Sequence, residues 1–295
     1  MEKYKVLVAG ATGYLGQFIT QELLDRGFAT TIIVRNKNKI AIKAPDLKII
    51  EAQVTQPDTL KGICDNIDVV ISSVGITRQK DGLTYMDVDY QANANLMDEA
   101  KRNNIKKFIY ISVLNGDKLR HLKIGEAKEK FVDKLKSSGL DFCVIRPNGF
   151  FSDMGDFLNM AKSGRIYLFG KGELKLNPIH GQDLAKVVVD AINQDVKEIN
   201  VGGPDLLSQN EIGELALNAY SKPVKITHLP NWIRIFAIWL VHTFTNSKTY
   251  GPIEFFLTTM NMDMTSPKYG KHHLSDFFND KVRSILIGDD NMRKD

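Results

Sequence analysis

Tyr4-Lys-Val-Leu-Val-Ala-Gly-Ala-Thr-Gly-Tyr-Leu-Gly16 sets the reading of the whole chain. Its apolar, β-branched run from Val6 to Ala9 has the pattern of a buried strand, and Gly10, Gly13 and Gly16 follow at once. Behind them Leu15, Phe18, Ile19, Leu23 and Leu24 recur at helical spacing, and Thr30 to Val34 is a second apolar run ending at Arg35. Strand, glycine turn, helix and strand are the parts of a βαβ unit for a dinucleotide. Glycine is needed because the backbone must turn tightly, approach a pyrophosphate and let the helix pack close to the strand. The helix start then turns its unpaired N–H groups toward the phosphate charge. Three glycines alone also fit a tight turn without a ligand; the strand before and the amphipathic helix after them favour the dinucleotide.

Composition bounds the alternatives. The chain has 295 residues, 43% of them hydrophobic, enough for one large α/β unit or a core with a smaller appended domain. The net charge of +4 is mild, and cations such as Lys101-Arg102 and Lys106-Lys107 are scattered, so no footprint for nucleic acid is present. Cys64, in a helix-like stretch, and Cys143, in a strand-like one, lack C-x-x-C spacing. They read as buried thiols of a reducing cytosol, with no disulfide and no metal site. The first residues run into the first strand without a secretory pattern, so a cytoplasmic location is expected.

Arg35 bears on the choice of dinucleotide. An NAD site usually has Asp or Glu after the second strand to bond the ribose 2′-hydroxyl, whereas Arg forks onto a 2′-phosphate. With Lys37 and Lys39 close by, Arg35 favours NADP over NAD, against the plain alternative of a surface arginine. Further strands are expected at Leu47 to Ala52, Val69 to Val74 ending in Gly75, Phe108 to Ser112 and Phe142 to Arg146, the last stopped by Pro147. Helices are expected at Pro57 to Leu60, Asp89 to Asn103 and Gly125 to Ser137. Strands alternating with helices at this rate imply a doubly wound parallel sheet covered on both faces.

Several of these segments together resemble the short-chain dehydrogenases/reductases of the atypical and extended type. They are Gly10-Ala-Thr-Gly-Tyr-Leu-Gly16, Val34-Arg35, Tyr110-Ile-Ser112 and Ser138-Gly-Leu-Asp-Phe-Cys-Val-Ile-Arg-Pro147. Asn177-Pro-Ile-His180 with Asp183-Leu-Ala185, and Asn200-Val-Gly-Gly-Pro204, agree. The resemblance is nearest to the NmrA-like subgroup, which includes the complex I accessory NADPH-binding subunit and divinyl chlorophyllide reductases. It implies a Rossmann fold and a cofactor held by Gly10, Thr12, Gly13, Tyr14, Leu15 and Gly16 at the phosphates. It further implies Arg35, Gln53 and Val54 on the adenosine side, then Ser73, Val74, Gly75 and Ser112. Lys128, Pro147 and Phe150 complete the set toward the nicotinamide.

The chain also departs from that family. Its catalytic pair is a Tyr and a Lys four residues apart on one helix face, with a nearby Ser or Thr; the Tyr moves the proton and the Lys lowers its pKa. Counting back from Ser138-Gly139 puts the Lys on Lys128 and the Tyr on Ile124, which has no proton to give. The hydroxyl position falls on Leu114, and the usual adenine-side Asp is Gln53. Tyr110 and His121 are substitute acids without the family's spacing, and His121 reads equally as an exposed histidine in a basic loop. Lys128 reads either as the ribose anchor or as a surface lysine.

Past Pro147 the βαβ rhythm stops. The aromatic loop Asn148 to Met154, the turn Gly170-Lys-Gly172, a helix over Asp183 to Asn193 and a seventh strand over Glu198 to Val201 follow. Ser208-Gln-Asn-Glu211 is a capping box opening another helix. Pro230-Asn-Trp-Ile-Arg-Ile-Phe-Ala-Ile-Trp-Leu-Val241, running on to Phe244, is apolar nearly all round and too short to span a membrane. It reads first as a buried helix, and alternatively as one that borders a greasy substrate or touches a membrane or protein partner. The expected architecture is a Rossmann domain (1–149 and 176–203) with a smaller, mainly helical substrate domain (150–175 and 204–295). Two functions follow: an NADP(H)-dependent oxidoreductase of a fairly apolar small molecule, or a non-catalytic NADPH-binding sensor, scaffold or assembly factor.

Overall fold

The computed structural model describes residues 4–39, 42, 44–77, 79 and 82–292. In chain order the strands are β1 (Lys5–Ala9), β2 (Ala29–Val34), β3 (Leu47–Glu51), β4 (Val69–Ser72), β5 (Lys107–Ile111) and β6 (Phe142–Pro147). They continue with β7 (Ile166–Phe169), β8 (Lys175–Leu176), β9 (Glu198–Val201), β10 (Leu207–Ser208) and β11 (Ile226–Leu229). The helices are α1 (Tyr14–Asp25), α2 (Asn93–Arg102), α3 (Lys123–Lys136), α4 (Gly155–Ser163) and α5 (Gly181–Asp190). After them come α6 (Gln209–Ala219), α7 (Asn231–Phe244), α8 (Ser247–Thr259) and α9 (Leu274–Met292).

Seven strands form one sheet in the order β3-β2-β1-β4-β5-β6-β9, with parallel pairing from β3 through β6. The fold is the expected doubly wound Rossmann-like α/β sheet. β4 and β5 are buried along their whole length, which is why their sequences run apolar without alternation. Leu7, Val70, Phe108, Tyr110 and Val144 of the sheet share one core cluster with Leu96 and Met97 of α2 and Phe131 and Leu135 of α3. Each such large side chain contributes about 1.5–3 kcal/mol by leaving water. The strand order reverses between β1 and β4, so a crevice opens at the carboxyl ends of those two strands.

The chain divides into two compact units, the first being Met1–Pro147, Leu184–Asn200 and Asn246–Phe255. The second is Asn148–Asp183, Val201–Thr245 and Phe256–Asp295. Phe255 joins the first unit by packing on the cluster of Tyr85, Ile124 and Ala127, a placement that no local pattern announces. In the second unit β7 pairs with β11 and β8 with β10, beside α4, α6 and α9. Its buried Asp183 accepts the backbone N–H groups of Lys271 and His272, both at 2.9 Å, and meets His272 Nδ1 at 3.0 Å. Gly270 turns there with φ +82°, where a Cβ would come 2.2 Å from an Asp183 oxygen.

Three expectations are corrected. The helix expected over Asp89 to Asn103 is two pieces, a π-helical turn over Met86–Ala92 and then α2. Cys64 lies among turns and not in a helix, though it is buried as expected. The apolar helix α7 has no buried residue at all, so it is not a core helix.

Candidate nucleotide-binding site

The glycine turn follows β1 into α1 at the switch point. Gly10 has φ +87°, and a Cβ on it would stand 2.7 Å from Ser73 Oγ, so its backbone lies flat against the end of β4. Gly16 has even less room, because a Cβ there would fall 2.1 Å from the Gly10 carbonyl oxygen. Gly13 caps α1 with extended backbone and no side-chain cap, and the first turn of α1 holds no acid. Thr12 and Gly13 are exposed, Tyr14 is half-buried and Leu15 is buried, so the loop presents backbone outward over an anchored base. A helix start with no side-chain cap and no acid in its first turn has the chemistry of an anion site.

The neighbouring strand ends line up along the same carboxyl edge. Arg35 is exposed just beyond β2, next to β1 in the sheet. Gln53 follows β3, bonded to Thr59 Oγ1 through its own N–H at 3.0 Å, and Asn95 Nδ2 donates to the Val54 carbonyl at 3.1 Å. Ser73 donates its backbone N–H to the Ala9 carbonyl at 3.0 Å, while Asn93 Nδ2 donates to the Val74 carbonyl at 3.2 Å. The segment Ser73 to Gly75 is thereby stitched to β1 on one side and α2 on the other.

Gly75 lies against a buried charge pair. A Cβ there would meet Asp89 Oδ1 at 2.6 Å and Lys128 Nζ at 2.9 Å. Lys128 Nζ and Asp89 Oδ1 are 2.9 Å apart, with the Asp89 side chain fully buried and that of Lys128 16% exposed. The ammonium also lies 5.8 Å from the centre of the Tyr110 ring. Burial pulls the Lys128 pKa down, but Tyr110 and Asp89 outweigh it and hold the ammonium charged. Burial pushes the Asp89 carboxyl up, opposed by Lys128 and by the Ile76 N–H, which donates to Oδ2 at 3.2 Å. Burial likewise raises the Tyr110 hydroxyl far above its ordinary value.

The structure thus brings Lys128 to the crevice, and it also shows where the family's other chemistry is missing. Ile124, one turn before Lys128, is buried against Tyr85 and Ala127. Leu114 is buried with its backbone N–H bonded to the Pro147 carbonyl at 3.0 Å. The Ser112 hydroxyl donates to Glu129 Oε1 at 2.8 Å. Glu129 in turn receives Arg146 on both oxygens, at 2.6 and 2.8 Å, while Arg146 Nε reaches Glu198 at 3.0 Å. His121 is exposed, and Phe150, in the second unit, is half-buried as the residue before a 3₁₀ turn over Phe151–Met154. Asp89 was not singled out in the sequence. Its only signal was an acid at the start of an apolar helical pattern, which reads as an ordinary helix start. Among the described residues no three His, Cys, Asp or Glu side chains are grouped to hold a metal.

With this geometry in view, the sequence of the NAD(P)H-binding family matches residues 10–195. The chain belongs to that NAD(P)H-binding family. This NAD(P)H-binding protein is 28% identical over 326 residues to divinyl chlorophyllide a 8-vinyl-reductase, chloroplastic, of Arabidopsis thaliana, which covers 96% of the chain and 78% of that protein. It is 28% identical over 235 residues to Photosystem II assembly factor Ycf39 of Synechocystis, covering 77% of the chain and 71% of that protein. NADPH-dependent quinone oxidoreductase QOR2 of Escherichia coli, solved with NADPH, shares the fold with TM-score 0.68 at 16% identity, over 95% of this chain and 99% of that one. The resemblance to atypical short-chain dehydrogenases/reductases stands, and reductase and assembly-factor readings both fit these relatives.

Proposed function

We propose that the protein binds NADP(H) in preference to NAD(H) and acts as a reductase of a fairly apolar small molecule. The observation that carries this is the uncapped, acid-free start of α1 at Gly13, with Arg35 one strand away. Gly10 to Gly16 would hold the pyrophosphate, Arg35 the 2′-phosphate, and Gln53 and Val54 the adenine side. Gly75 fits a ribose edge, since only a residue without Cβ leaves the Asp89–Lys128 pair undisturbed. Lys128 would anchor the nicotinamide ribose, with Pro147 bordering the ring. A bound NADPH supplies a hydride; this chain binds, orients and keeps a cation at Lys128 Nζ. The two free, buried cysteines suit a reducing compartment such as the cytoplasm.

A second reading is favoured by Ile124. With a buried aliphatic plug where the family places its acid, the same site would hold NADPH without turnover, as a sensor, scaffold or assembly factor. General acid catalysis contributes about 10²–10⁴-fold, and nothing at position 124 supplies it.

Calorimetry with both dinucleotides tests the cofactor. A charge-assisted Arg fork contributes about 1.5–3 kcal/mol, so NADPH should bind roughly tenfold or more tightly than NADH, and Arg35→Ala should erase the difference. Equal affinities in the wild type would remove the assignment. NADPH oxidation over a panel of carbonyl and alkene compounds then separates reductase from holder.

A further inference from the structure

Helix α7 carries a feature that cofactor binding does not use. Trp232, Ile235, Phe236, Trp239, Leu240 and Phe244 recur at i, i+3, i+4, i+7, i+8 and i+12 on one side, and all are exposed, Phe244 by 73% and Trp232 by 65%. Phe236 and Trp239 stack with ring centres 5.6 Å apart, so the face is a preformed aromatic surface. Contiguous apolar surface of this kind on a helix marks a contact site.

Charge says what kind. Between Glu214 and Glu254 the sequence holds Lys222, Lys225, Arg234 and Lys248 and not one Asp or Glu. The aromatic helix therefore sits in a stretch with cations only. Arg234 is drawn back from the apolar side, bonding Asn231 Oδ1 at 2.7 Å and the Leu257 carbonyl at 3.4 Å. Tryptophans on an apolar helix face, with only basic charges in the flanking sequence, are the composition of a helix lying at an anionic lipid interface. At 14 residues α7 is about 21 Å long, short of the roughly 30 Å hydrocarbon core. No helix among the described residues is long and apolar enough to cross a membrane, so α7 would lie in the surface plane.

We propose that α7 is an interfacial anchor whose aromatic face seats in an anionic lipid surface. This is independent of the cofactor assignment. The chain has two tryptophans, Trp232 and Trp239, so tryptophan emission excited at the red edge reports α7 alone. The full chain is mixed with phosphatidylcholine vesicles, with and without phosphatidylglycerol. With the anionic vesicles the emission shifts to the blue and the protein co-sediments; added salt weakens both, by screening. Phe236→Ser with Leu240→Ser, which keeps both reporters on an exposed face, weakens partitioning at least about tenfold without moving the melting temperature. Lys225→Glu weakens it less. Absence of any shift, or equal binding to neutral and anionic vesicles, would overturn the proposal. So would a concentration-dependent dimer, seen by light scattering, that the serine pair abolishes while vesicles bind neither protein; a second copy would then cover the face.

Discussion

Asp89 changes what a substitution at Lys128 measures. Lys128→Ala leaves the fully buried Asp89 carboxylate without its ammonium, and breaking a buried pair from one side costs about 3–5 kcal/mol. Loss of NADPH affinity in that variant would mix unfolding with lost anchoring. Lys128→Met combined with Asp89→Asn removes both charges together. We expect urea unfolding to show Lys128→Ala strongly destabilised and the double variant largely restored, while NADPH affinity stays low in both. Recovery of affinity in the double variant would show that Lys128 supports the fold and does not touch the ribose. Counting along α3 was enough to find Lys128. Asp89 could not be found that way, because it meets Lys128 only through tertiary packing. The duty of Ser112 was hidden for the same reason: Glu129 of α3 and Arg146 of β6 converge on it from distant parts of the chain.

The β1–α1 turn and the π-helical turn before α2 differ in how openly the sequence shows them. The first is written in residue types, since Gly10 needs φ +87° and Gly16 has no room for a Cβ. Gly13 is another case: its Cβ would come no closer than 3.3 Å to the Gly10 carbonyl oxygen, and the residue is exposed. Gly16→Val should therefore unfold or badly destabilise the protein, as read by thermal melting. Gly13→Val should keep most of its stability and lose cofactor, as read by calorimetry, because its side chain stands over the helix start. A folded Gly13→Val protein with unchanged NADPH affinity would move the ligand elsewhere. The π-helical turn has no such signature. Asp89 to Asn103 carries an unbroken helical pattern, and the widening depends on Asn93, whose side chain donates to the Val88 and Asp89 carbonyls at 3.3 and 2.9 Å. π-turns concentrate at functional sites, and this one aims Asp89 at Lys128. Periodicity gave α7 as a helix but not its exposure, since an apolar pattern all round does not say what covers it.

Across the whole molecule, Asp183 fastens α5 to the segment entering α9. Burial alone would raise its pKa, but hydrogen bonds from His272 and Lys271 outweigh burial and depress it below 3.8. A depressed carboxylate stabilises the fold above its unfolded pKa and loses that effect as pH falls through 3.8 toward the folded value. Asp183→Asn should thus cost about 1.5–3 kcal/mol near neutrality, and its urea midpoint should converge on that of the wild type in acid. Midpoints that stay equally far apart down to low pH would contradict the role. The doubly wound parallel sheet was legible because strands, turns and helices alternate, whereas the return of Asn246–Phe255 to the first unit depends on distant contacts. That threading also limits how such a protein can diversify. The chain passes between the units after Pro147, Asp183, Asn200, Thr245 and Phe255. β9, encoded late, completes the sheet beside β6, and its Glu198 meets Arg146. The second unit is therefore not a cassette: recombination cannot exchange it with one crossover, and a gene ending at Pro147 would leave β6 as a raw edge.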